Sequence, residues 1–289
     1  MTLNYNSSSE LRAFLEREDL GMQKRFGQNF LVDLNARKML TQALGANSGD
    51  EVWEIGPGLG AMTAMLLENG LKVNAFEIDN GFIRILKKLF SENKNFTLIE
   101  GDVMKTWKKY AELSDKPGSQ FLLGNLPYNI AAVLLADFIE QGWIFKRMVV
   151  TVQKETALRM MASAGSKDYS SFSVLCASVY KVKQIVTIRP SSFYPQPNVD
   201  SMGVLLENKN AATYPAVFYP LVRSLFAARR KTIKNNLTSF LSSRYEKTKA
   251  NEICACVLKE NCISENERAE NLEIEAFLSL AKSIDNMRL

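Results

Sequence analysis

The stretch EIGPGLG, residues 54–60, decides the fold, because a strand-like pattern and a helical pattern meet on either side of it. The apolar run Glu51–Ile55 leads into the stretch as a predicted strand, and Thr63–Glu68 follows it as a predicted helix. Glycines at such a turn let the backbone bend sharply and approach a ligand that a Cβ atom would exclude. The stretch therefore predicts a ligand-binding strand–turn–helix unit.

The glycine spacing alone does not identify this ligand. Gly56, Gly58 and Ala61 satisfy the dinucleotide fingerprint. Two features favour S-adenosylmethionine instead. The acid Glu54 lies two residues before the first glycine, and Gly60 continues the glycines at alternate spacing. That cofactor has no pyrophosphate to place at a helix N-terminus. We therefore predict S-adenosylmethionine as the cofactor, with Gly56 and Gly58 close to it.

Beyond this unit, predicted strands and helices alternate regularly. The strands are Lys72–Glu77, Phe96–Glu100, Phe121–Gly124 and Met148–Val152, and the helices are Gly81–Phe90, Ala131–Glu140 and Glu155–Ala162. Such alternation predicts an α/β fold with a parallel, doubly wound, Rossmann-like sheet. Three later segments also have strand-like patterns, and the last two are expected to pair antiparallel at the sheet edge: Ser173–Tyr180, Lys183–Ile188 and Ser201–Leu206.

Three regions are predicted along the chain. The composition changes at Glu207–Asn210, and only helical periodicity follows, so residues 208–289 are expected to form a small all-helical domain that binds RNA. Residues 23–207 form the predicted cofactor-binding domain. Residues 1–22 are expected to form a mobile arm, helical around Leu11 and Phe14 behind a serine-rich start.

The composition excludes several classes of protein. Histidine is absent, which removes the commonest general base and every Ser-His or Cys-His arrangement, and which favours group transfer driven by a reactive cofactor. The four cysteines lack paired C-x-x-C spacing, so no metal site is expected. No run approaches the roughly 20 apolar residues of a membrane span, and no signal peptide is evident. We expect a soluble, cytoplasmic monomer that does not bind membranes.

Two carboxylates follow successive predicted strands. Glu77 ends the second strand, 21 residues after Gly56, and can accept hydrogen bonds from both ribose hydroxyls. Asp102 follows the third strand, where it is placed to accept a hydrogen bond from an adenine amino group. Because the carboxyl ends of parallel strands share one edge, these side chains are predicted to bind a nucleoside there.

The tetrapeptide Asn125–Tyr128 (NLPY) follows the fourth strand at the same edge. The amino group of adenine is a poor nucleophile, because its lone pair is conjugated into the ring. The Asn125 side-chain oxygen and the Leu126 carbonyl oxygen can accept hydrogen bonds from its two N–H groups, which favours a tetrahedral nitrogen able to attack a methyl sulfonium. Tyr128 offers a ring on which the base can stack. These residues predict methylation at N6 of adenine.

The segment SFYPQP, residues 192–197, is rigid and aromatic. Phe193 either covers the second face of the target base or packs as an aromatic plug within the loop. The sequence alone leaves both interpretations open.

Basic residues are concentrated between Arg223 and Lys249, where eight Lys or Arg residues accompany one acid, Glu246. This density predicts a phosphate-binding surface, with a solvated helix face as the alternative. The candidate RNA-binding residues are Arg223, Arg229, Arg230, Lys231 and Lys234.

With these motifs in order, the chain resembles the KsgA/RsmA-type rRNA adenine dimethyltransferases, which are related to the Erm methyltransferases. The resemblance runs from about Lys24 to the C-terminus. It rests on FGQNFL at 26–31, EIGPGLG at 54–60, EID at 77–79, GD at 101–102, NLPY at 125–128, QKE at 153–155, GSKDY at 165–169, FYPQPNVDS at 193–201, RRKTIKNNL at 229–237 and RAENL at 268–272.

The resemblance implies dimethylation of two adjacent adenines near the 3′ end of 16S rRNA within the 30S subunit or its precursor. It implies that Tyr128 and Phe193 hold the flipped base between them. It also implies contacts with the cofactor at Asn29, Leu31, Gly56, Glu77, Asp102 and Asn125. Of these, Asn29 and Leu31 were not suggested by the residues alone. The C-terminal motifs favour the KsgA branch over Erm.

Three alternatives remain at this point. An Erm-like enzyme would act on 23S rRNA, and an assembly factor would bind 30S precursors without catalysis. An NAD-binding dehydrogenase is disfavoured because no His or Lys base accompanies the glycine-rich loop.

Overall fold

The computed structural model describes residues 3–21, 28–112, 120–210 and 214–287. The contacts divide the chain into two compact units. We call Met1–Ala157 with Lys181–Asn208 the sheet unit, and Leu158–Tyr180 with Lys209–Leu289 the helical unit. This division differs from the boundaries predicted from sequence, because Leu158–Tyr180 groups with the C-terminal helices rather than with the sheet.

Twelve helices and nine strands lie within the described ranges. The helices are α1 Ser8–Arg17, α2 Leu34–Ala43, α3 Ala61–Glu68, α4 Asn80–Phe90, α5 Val103–Glu112, α6 Ala131–Glu140, α7 Lys154–Met161, α8 Ser171–Val179, α9 Phe218–Phe226, α10 Ile233–Ser242, α11 Lys247–Glu260 and α12 Ile274–Asn286. The strands are β1 Phe30–Leu31, β2 Glu51–Ile55, β3 Lys72–Glu77, β4 Phe96–Glu100, β5 Phe121–Asn125, β6 Arg147–Gln153, β7 Tyr180–Ile188, β8 Phe193–Tyr194 and β9 Ser201–Asn208.

The main sheet has seven strands in the order β4-β3-β2-β5-β6-β9-β7. The five strands from β4 to β6 pair in parallel, and β9 runs antiparallel to β6. The central strands β2 and β5 are buried along almost their whole length, as expected where helices cover both faces of a parallel sheet. The predicted doubly wound α/β fold is confirmed, and the carboxyl ends of β2, β3, β4 and β5 share one edge.

One local prediction was wrong, and one helix was missed. Ser173–Tyr180 was expected to be a strand, but Ser171–Val179 is helix α8. Its start is fixed by a capping box, in which the Ser170 and Ser173 side chains each accept a hydrogen bond from the other's backbone N–H. The apolar run within it fits a buried helix as well as a strand, so its periodicity could not separate the two. Helix α5 was not predicted at all.

The N-terminal arm packs on the sheet unit, so the expectation of a mobile arm is wrong for the described residues. Ser7 caps α1, and the apolar side chains of that helix join a buried cluster with Leu59, Phe82 and Ile85. At the end of the arm, Arg84 Nη2 donates to the Glu18 carbonyl oxygen across 2.8 Å. Lys24–Gly27, the basic residues and the first two residues of FGQNFL, lie outside the described residues.

The helical unit is built on the apolar faces of α9, α10, α11 and α12. Leu221, Leu225, Leu237 and Phe277 are fully buried in it. The Tyr169 hydroxyl, itself buried, donates to the Leu272 carbonyl oxygen at 3.0 Å. In neither unit does a described helix combine the length and apolar character that crossing a bilayer requires.

Candidate active site

A cavity of about 290 Å³ lies in the sheet unit, at the carboxyl ends of β2 to β5. Residues from the arm, from β1 and from the glycine-rich loop complete its wall. All seven residues that the sequence analysis assigned to the cofactor line it: Asn29, Leu31, Gly56, Gly58, Glu77, Asp102 and Asn125. The fold therefore gathers into one cavity residues that span almost 100 positions of the chain.

The glycine-rich loop forms one wall, and its backbone requires glycine. Gly56 and Gly58 have φ values of +66° and +58°, in the left-handed region that L side chains rarely adopt. A Cβ at Gly58 would lie 3.0 Å from Cε1 of Phe30, whereas a Cβ at Gly56 would meet no atom within 4 Å. The loop thus leaves open space beside Gly56 for a ligand to approach the backbone.

Glu77 is held by three backbone N–H groups. Its Oε1 accepts from Ile78 N and Asp79 N, each at 2.9 Å, and its Oε2 accepts from Gly58 N at 3.1 Å. Burial raises its pKa to about 7, and the three N–H donors oppose that shift. A carboxylate has about four lone-pair sites, so roughly one remains for a ribose hydroxyl. The expected acceptance from both hydroxyls does not fit this arrangement without rearrangement of these bonds.

Glu54 precedes the glycine-rich loop but does not line the cavity. The carboxyl group is completely buried, and its Oε2 accepts from Thr63 Oγ1 at 2.6 Å. Its Oε1 has no hydrogen-bond partner in the described part of the chain. Burial raises the pKa of Glu54 to about 7, and the charge of Glu77 adds to that rise. Glu54 therefore joins the end of β2 to helix α3, on either side of the loop, and does not line the cavity.

Asp102 lies immediately before helix α5 and turns one oxygen toward the backbone of the first turn of that helix. Its Oδ1 accepts from Met104 N at 3.0 Å, and its carbonyl accepts from Lys105 N and Thr106 N. The other oxygen, Oδ2, has no hydrogen bond to any described residue, which leaves an acceptor beside the cavity. The N–H of Gly101 donates to the Glu77 carbonyl at 2.8 Å, and this bond joins the ends of β3 and β4.

The first two residues of the tetrapeptide NLPY are each held by a hydrogen bond to another segment. Asn125 Nδ2 donates to the Asn29 carbonyl oxygen at 2.7 Å, and Leu126 N donates to the Thr151 carbonyl oxygen at 3.1 Å. The Leu126 side chain is buried, whereas Asn125 and Pro127 line the cavity. The backbone of the tetrapeptide is thus fixed to strand β6 while the Asn125 side chain reaches the cavity.

The two aromatic candidates differ in their surroundings. Tyr128 is half-buried, and its hydroxyl lies 2.6 Å from Ser201 Oγ. Phe193 is 1% exposed, pairs in register with Leu31 across β1 and β8, and belongs to a hydrophobic core cluster. Of the two interpretations of Phe193, the plug describes this structure, because a ring so deeply packed has no face free for a base.

The five basic candidates are exposed, but two have acidic partners. Arg229 Nη2 lies 2.8 Å from Glu270 Oε2, and Lys234 Nζ lies 2.6 Å from Glu265 Oε2. The sequence count missed these acids because they follow the basic segment by about 20 residues. Arg230 and Lys231 make no ion pair with any described residue. The cationic surface therefore depends more on that pair than the sequence suggested.

Several cavity residues were not predicted. Tyr5 and Leu11 come from the arm, and Arg37 comes from α2. Ile78, which follows Glu77, remains 40% exposed beside the cavity. Only the position of Ile78 after a strand end could have been read from the sequence, because the others reach the cavity through tertiary packing.

Comparison with known proteins identifies the family. A family model described as "Ribosomal RNA adenine dimethylase" matches residues 20–286. The chain belongs to the ribosomal RNA adenine dimethylase family. It is 48% identical to the ribosomal RNA small subunit methyltransferase A of Treponema denticola, over 98% of this chain and 97% of the relative.

Solved structures agree with the fold. A dimethyladenosine transferase from Plasmodium falciparum matches with a TM-score of 0.74 at 28% identity, over 88% of this chain and 96% of that one. The 23S rRNA methyltransferase ErmE matches with a TM-score of 0.63 at 18% identity, over 88% and 99%, which shows a shared fold alone.

These findings confirm the predicted family, the enzyme class and the cofactor. The chain is an S-adenosylmethionine-dependent rRNA adenine dimethyltransferase. The dinucleotide interpretation of the glycine-rich loop is therefore set aside, and so is the dehydrogenase.

Proposed function

We propose that the cavity holds S-adenosylmethionine and that NLPY presents N6 of adenine to it, on two adjacent adenines near the 3′ end of 16S rRNA. One observation carries this proposal: the Asn125 amide nitrogen is committed to the Asn29 carbonyl, which leaves Asn125 Oδ1 as an acceptor at the cavity. Asn125 lies at the strand end next to the glycine-rich loop, so the base and the cofactor meet there.

The cavity residues fit the cofactor. Its adenosine portion suits the end formed by Glu77 and Asp102, where a carboxylate oxygen of each has a free acceptor site. Its methionine portion then runs past Gly56, where the backbone is open to close approach. Asn29 and Leu31 line the same cavity from strand β1.

The reaction needs an electrophile and a better nucleophile. The cofactor supplies a methyl group on a sulfonium, and the protein acts on the amino group of the base. Asn125 Oδ1 and the Leu126 carbonyl accept its two N–H bonds, which favours a tetrahedral nitrogen with an exposed lone pair. Both acceptors are neutral amide oxygens, so they orient the amino group and do not remove its proton, which passes to water after transfer.

Tyr128 supplies the surface against which the base stacks. Its hydroxyl is within hydrogen-bond distance of Ser201 Oγ, so the ring is held at its far end as well as through the backbone. Stacking on an aromatic side chain contributes about 1–3 kcal/mol per base. Phe193 must leave the core cluster before it can cover the second face of the base.

The substrate is the 30S subunit or its precursor, bound by a monomer in the cytoplasm. The exposed basic surface of the helical unit, with Arg230 and Lys231 unpaired among the described residues, provides contacts for RNA phosphates. Arg223, Arg229 and Lys234 extend that surface.

The substrate is tested by incubating the protein with labelled S-adenosylmethionine and unmethylated 30S or 50S subunits. We expect label in the 30S subunit, four methyl groups per particle at completion, because two adenines each accept two. Labelling of the 50S subunit alone would contradict the proposal and indicate an Erm-like enzyme. No labelling of either particle would contradict the proposed substrate.

A further inference from the structure

A single cation lines the cavity in the part of the chain that the structure describes, and it is Arg37. It lies on α2, one turn after Asp33, whose side chain caps that helix. Two carboxyl groups also line the cavity, those of Glu77 and Asp102. The cavity therefore has its acids on the strand ends and its one described cation on α2.

The surroundings of Arg37 are unusual for a buried guanidinium. The residue is 2% exposed, and among the described residues it forms no ion pair. Its Nε has no hydrogen-bond partner there. Its Nη2 donates to Asn6 Oδ1, and its guanidinium carbon lies 5.8 Å from the centroid of the Tyr5 ring. Burial lowers the pKa of this guanidinium.

The charge of Asp33 reaches this guanidinium, but its oxygens already accept from Ala36 N and Ser192 Oγ, and the two residues form no ion pair. A buried cation without an ion pair is costly unless an anion completes the site. S-adenosylmethionine carries one anionic group, the carboxylate of its methionine portion. That carboxylate would be repelled at the end of the cavity where Glu77 and Asp102 lie. We propose that Arg37 binds the carboxylate of the methionine portion of the cofactor, and this inference rests on the proposed cofactor site.

The arm holds Arg37 in place. Tyr5 and Asn6 contact its guanidinium, and the Tyr5 hydroxyl donates to the Leu59 carbonyl oxygen in the glycine-rich loop at 3.0 Å. Tyr5 therefore joins the arm to the loop and to α2 at the same point. The family model begins at residue 20, so this part of the cofactor site is built by a segment that precedes the match.

Decarboxylated S-adenosylmethionine tests the pairing, because it keeps the sulfonium and the amino group and lacks only the anion. Calorimetry gives the dissociation constant of each ligand. We expect the wild-type protein to bind the intact cofactor about tenfold or more tightly, as a charge-assisted hydrogen bond implies. Equal wild-type affinities would overturn the inference without any variant.

Variants of Arg37 test whether this residue causes the difference in affinity between the two ligands. Arg37→Met keeps length without charge, so the ratio of the two dissociation constants should fall to about one while the decarboxylated ligand binds as before. Arg37→Lys should restore part of the ratio. Arg84→Gln is the matched control, because Arg84 contacts the arm but does not line the cavity. A wild-type ratio in Arg37→Met would overturn the inference.

Failure of the inference is distinguishable from failure of the proposed site. Glu77→Gln should weaken both ligands if the cavity holds the cofactor. If Glu77→Gln weakens both but Arg37→Met keeps the wild-type ratio, Arg37 does not bind the carboxylate. If Glu77→Gln changes neither affinity, the cavity is not the cofactor site.

Discussion

The side-chain amide of Asn125 donates to the backbone carbonyl of Asn29 across 2.7 Å, although 96 residues separate them. A carbonyl oxygen can only accept, so the amide nitrogen of Asn125 faces Asn29 and its oxygen faces away. This single bond fixes which atom Asn125 offers to a substrate. It also ties the FGQNFL segment to NLPY, so two motifs far apart in sequence act as one site.

The pKa of Glu77 makes cofactor binding depend on pH. Its pKa is raised to about 7 by burial, so the carboxyl group gains its charge as the pH rises through that value. Only the ionised form can accept a ribose hydroxyl while keeping its three N–H donors. We expect the affinity for S-adenosylmethionine, measured by calorimetry, to rise between pH 6 and about pH 8.

Two substitutions by glutamine test this prediction. Glu77→Gln should bind the cofactor more weakly and lose most of the pH dependence. Glu54→Gln should keep the pH dependence of cofactor affinity, because Glu54 has a similarly raised pKa but does not line the cavity. Identical pH profiles for the wild-type protein and Glu77→Gln would contradict the role of Glu77.

Glu54 makes the stability of the fold depend on pH. Its pKa is about 7 in the folded chain and about 4.5 in an unfolded one, so between these values the folded state binds more protons. The free energy of unfolding should therefore fall as the pH rises through that window. At about 1.4 kcal/mol per unit of pKa difference, the contribution of Glu54 over this window is about 3–4 kcal/mol.

Urea denaturation at pH 5 and pH 8 measures this contribution. Glu54→Gln should show a smaller loss of stability between the two pH values than the wild-type protein. Thr63 Oγ1 can still donate to the glutamine oxygen, so the variant keeps the hydrogen bond that holds the side chain. Parallel behaviour of the two proteins would show that Glu54 does not titrate in this range.

Tyr128 is predicted to act through its ring. Tyr128→Ala should weaken binding of the target RNA by roughly 5- to 150-fold, the equivalent of about 1–3 kcal/mol of stacking. Tyr128→Phe loses only the contact with Ser201 Oγ and should retain most of the affinity. Cofactor affinity should change little in either variant. If Tyr128→Phe were as impaired as Tyr128→Ala, the hydroxyl rather than the ring would carry the function.

RNA binding should weaken as the salt concentration rises. The steepness of this dependence should reflect Arg230 and Lys231, which form no ion pair with a described residue. Neutralising Arg230 and Lys231 together should reduce the slope of log K against log salt by roughly 2. A third substitution, Arg229→Gln, should lower the slope by less than one further unit, because Glu270 already pairs with Arg229. Glu270→Gln should strengthen binding at low salt. A slope that is unchanged in the Arg230 and Lys231 double variant would remove this surface from the account.

The parallel part of the fold could be predicted from sequence because its signals are local. The strands Glu51–Ile55, Lys72–Glu77 and Phe96–Glu100 were predicted at their observed bounds. Helix α8 could not be separated from a strand, because an apolar run without clear periodicity suits both. The packing of the arm depends on Leu59 and Phe82, which no local pattern connects to residues 11–15.

The candidate site also contains residues that could be placed from the sequence and residues that could not. Residues at strand ends, such as Glu77, Asp102 and Asn125, could be placed at one edge because parallel topology brings those ends together. The burial of Phe193 could not be foreseen, since it follows from the pairing of β1 with β8, two strands of two residues each. Arg37 gave no signal because a cation on a helix is usually solvated.

Asn125 is the residue on which the account depends most. Asn125→Ala removes the acceptor proposed for the amino group and should slow methyl transfer by about 100-fold or more, as loss of a directed active-site hydrogen bond does. Asn69→Ala is the matched control, because Asn69 Nδ2 also donates to a backbone carbonyl, that of Met65, at 2.8 Å and away from the cavity.

Mass mapping of the adenines methylated in 30S subunits tests the central claim most directly. With the wild-type protein and with Asn69→Ala, we predict dimethylation at N6 of two adjacent adenines near the 3′ end of 16S rRNA. With Asn125→Ala, we predict that both remain unmethylated over the same interval. Modification at other sites by the wild-type protein, or full dimethylation by Asn125→Ala at the wild-type rate, would contradict the account.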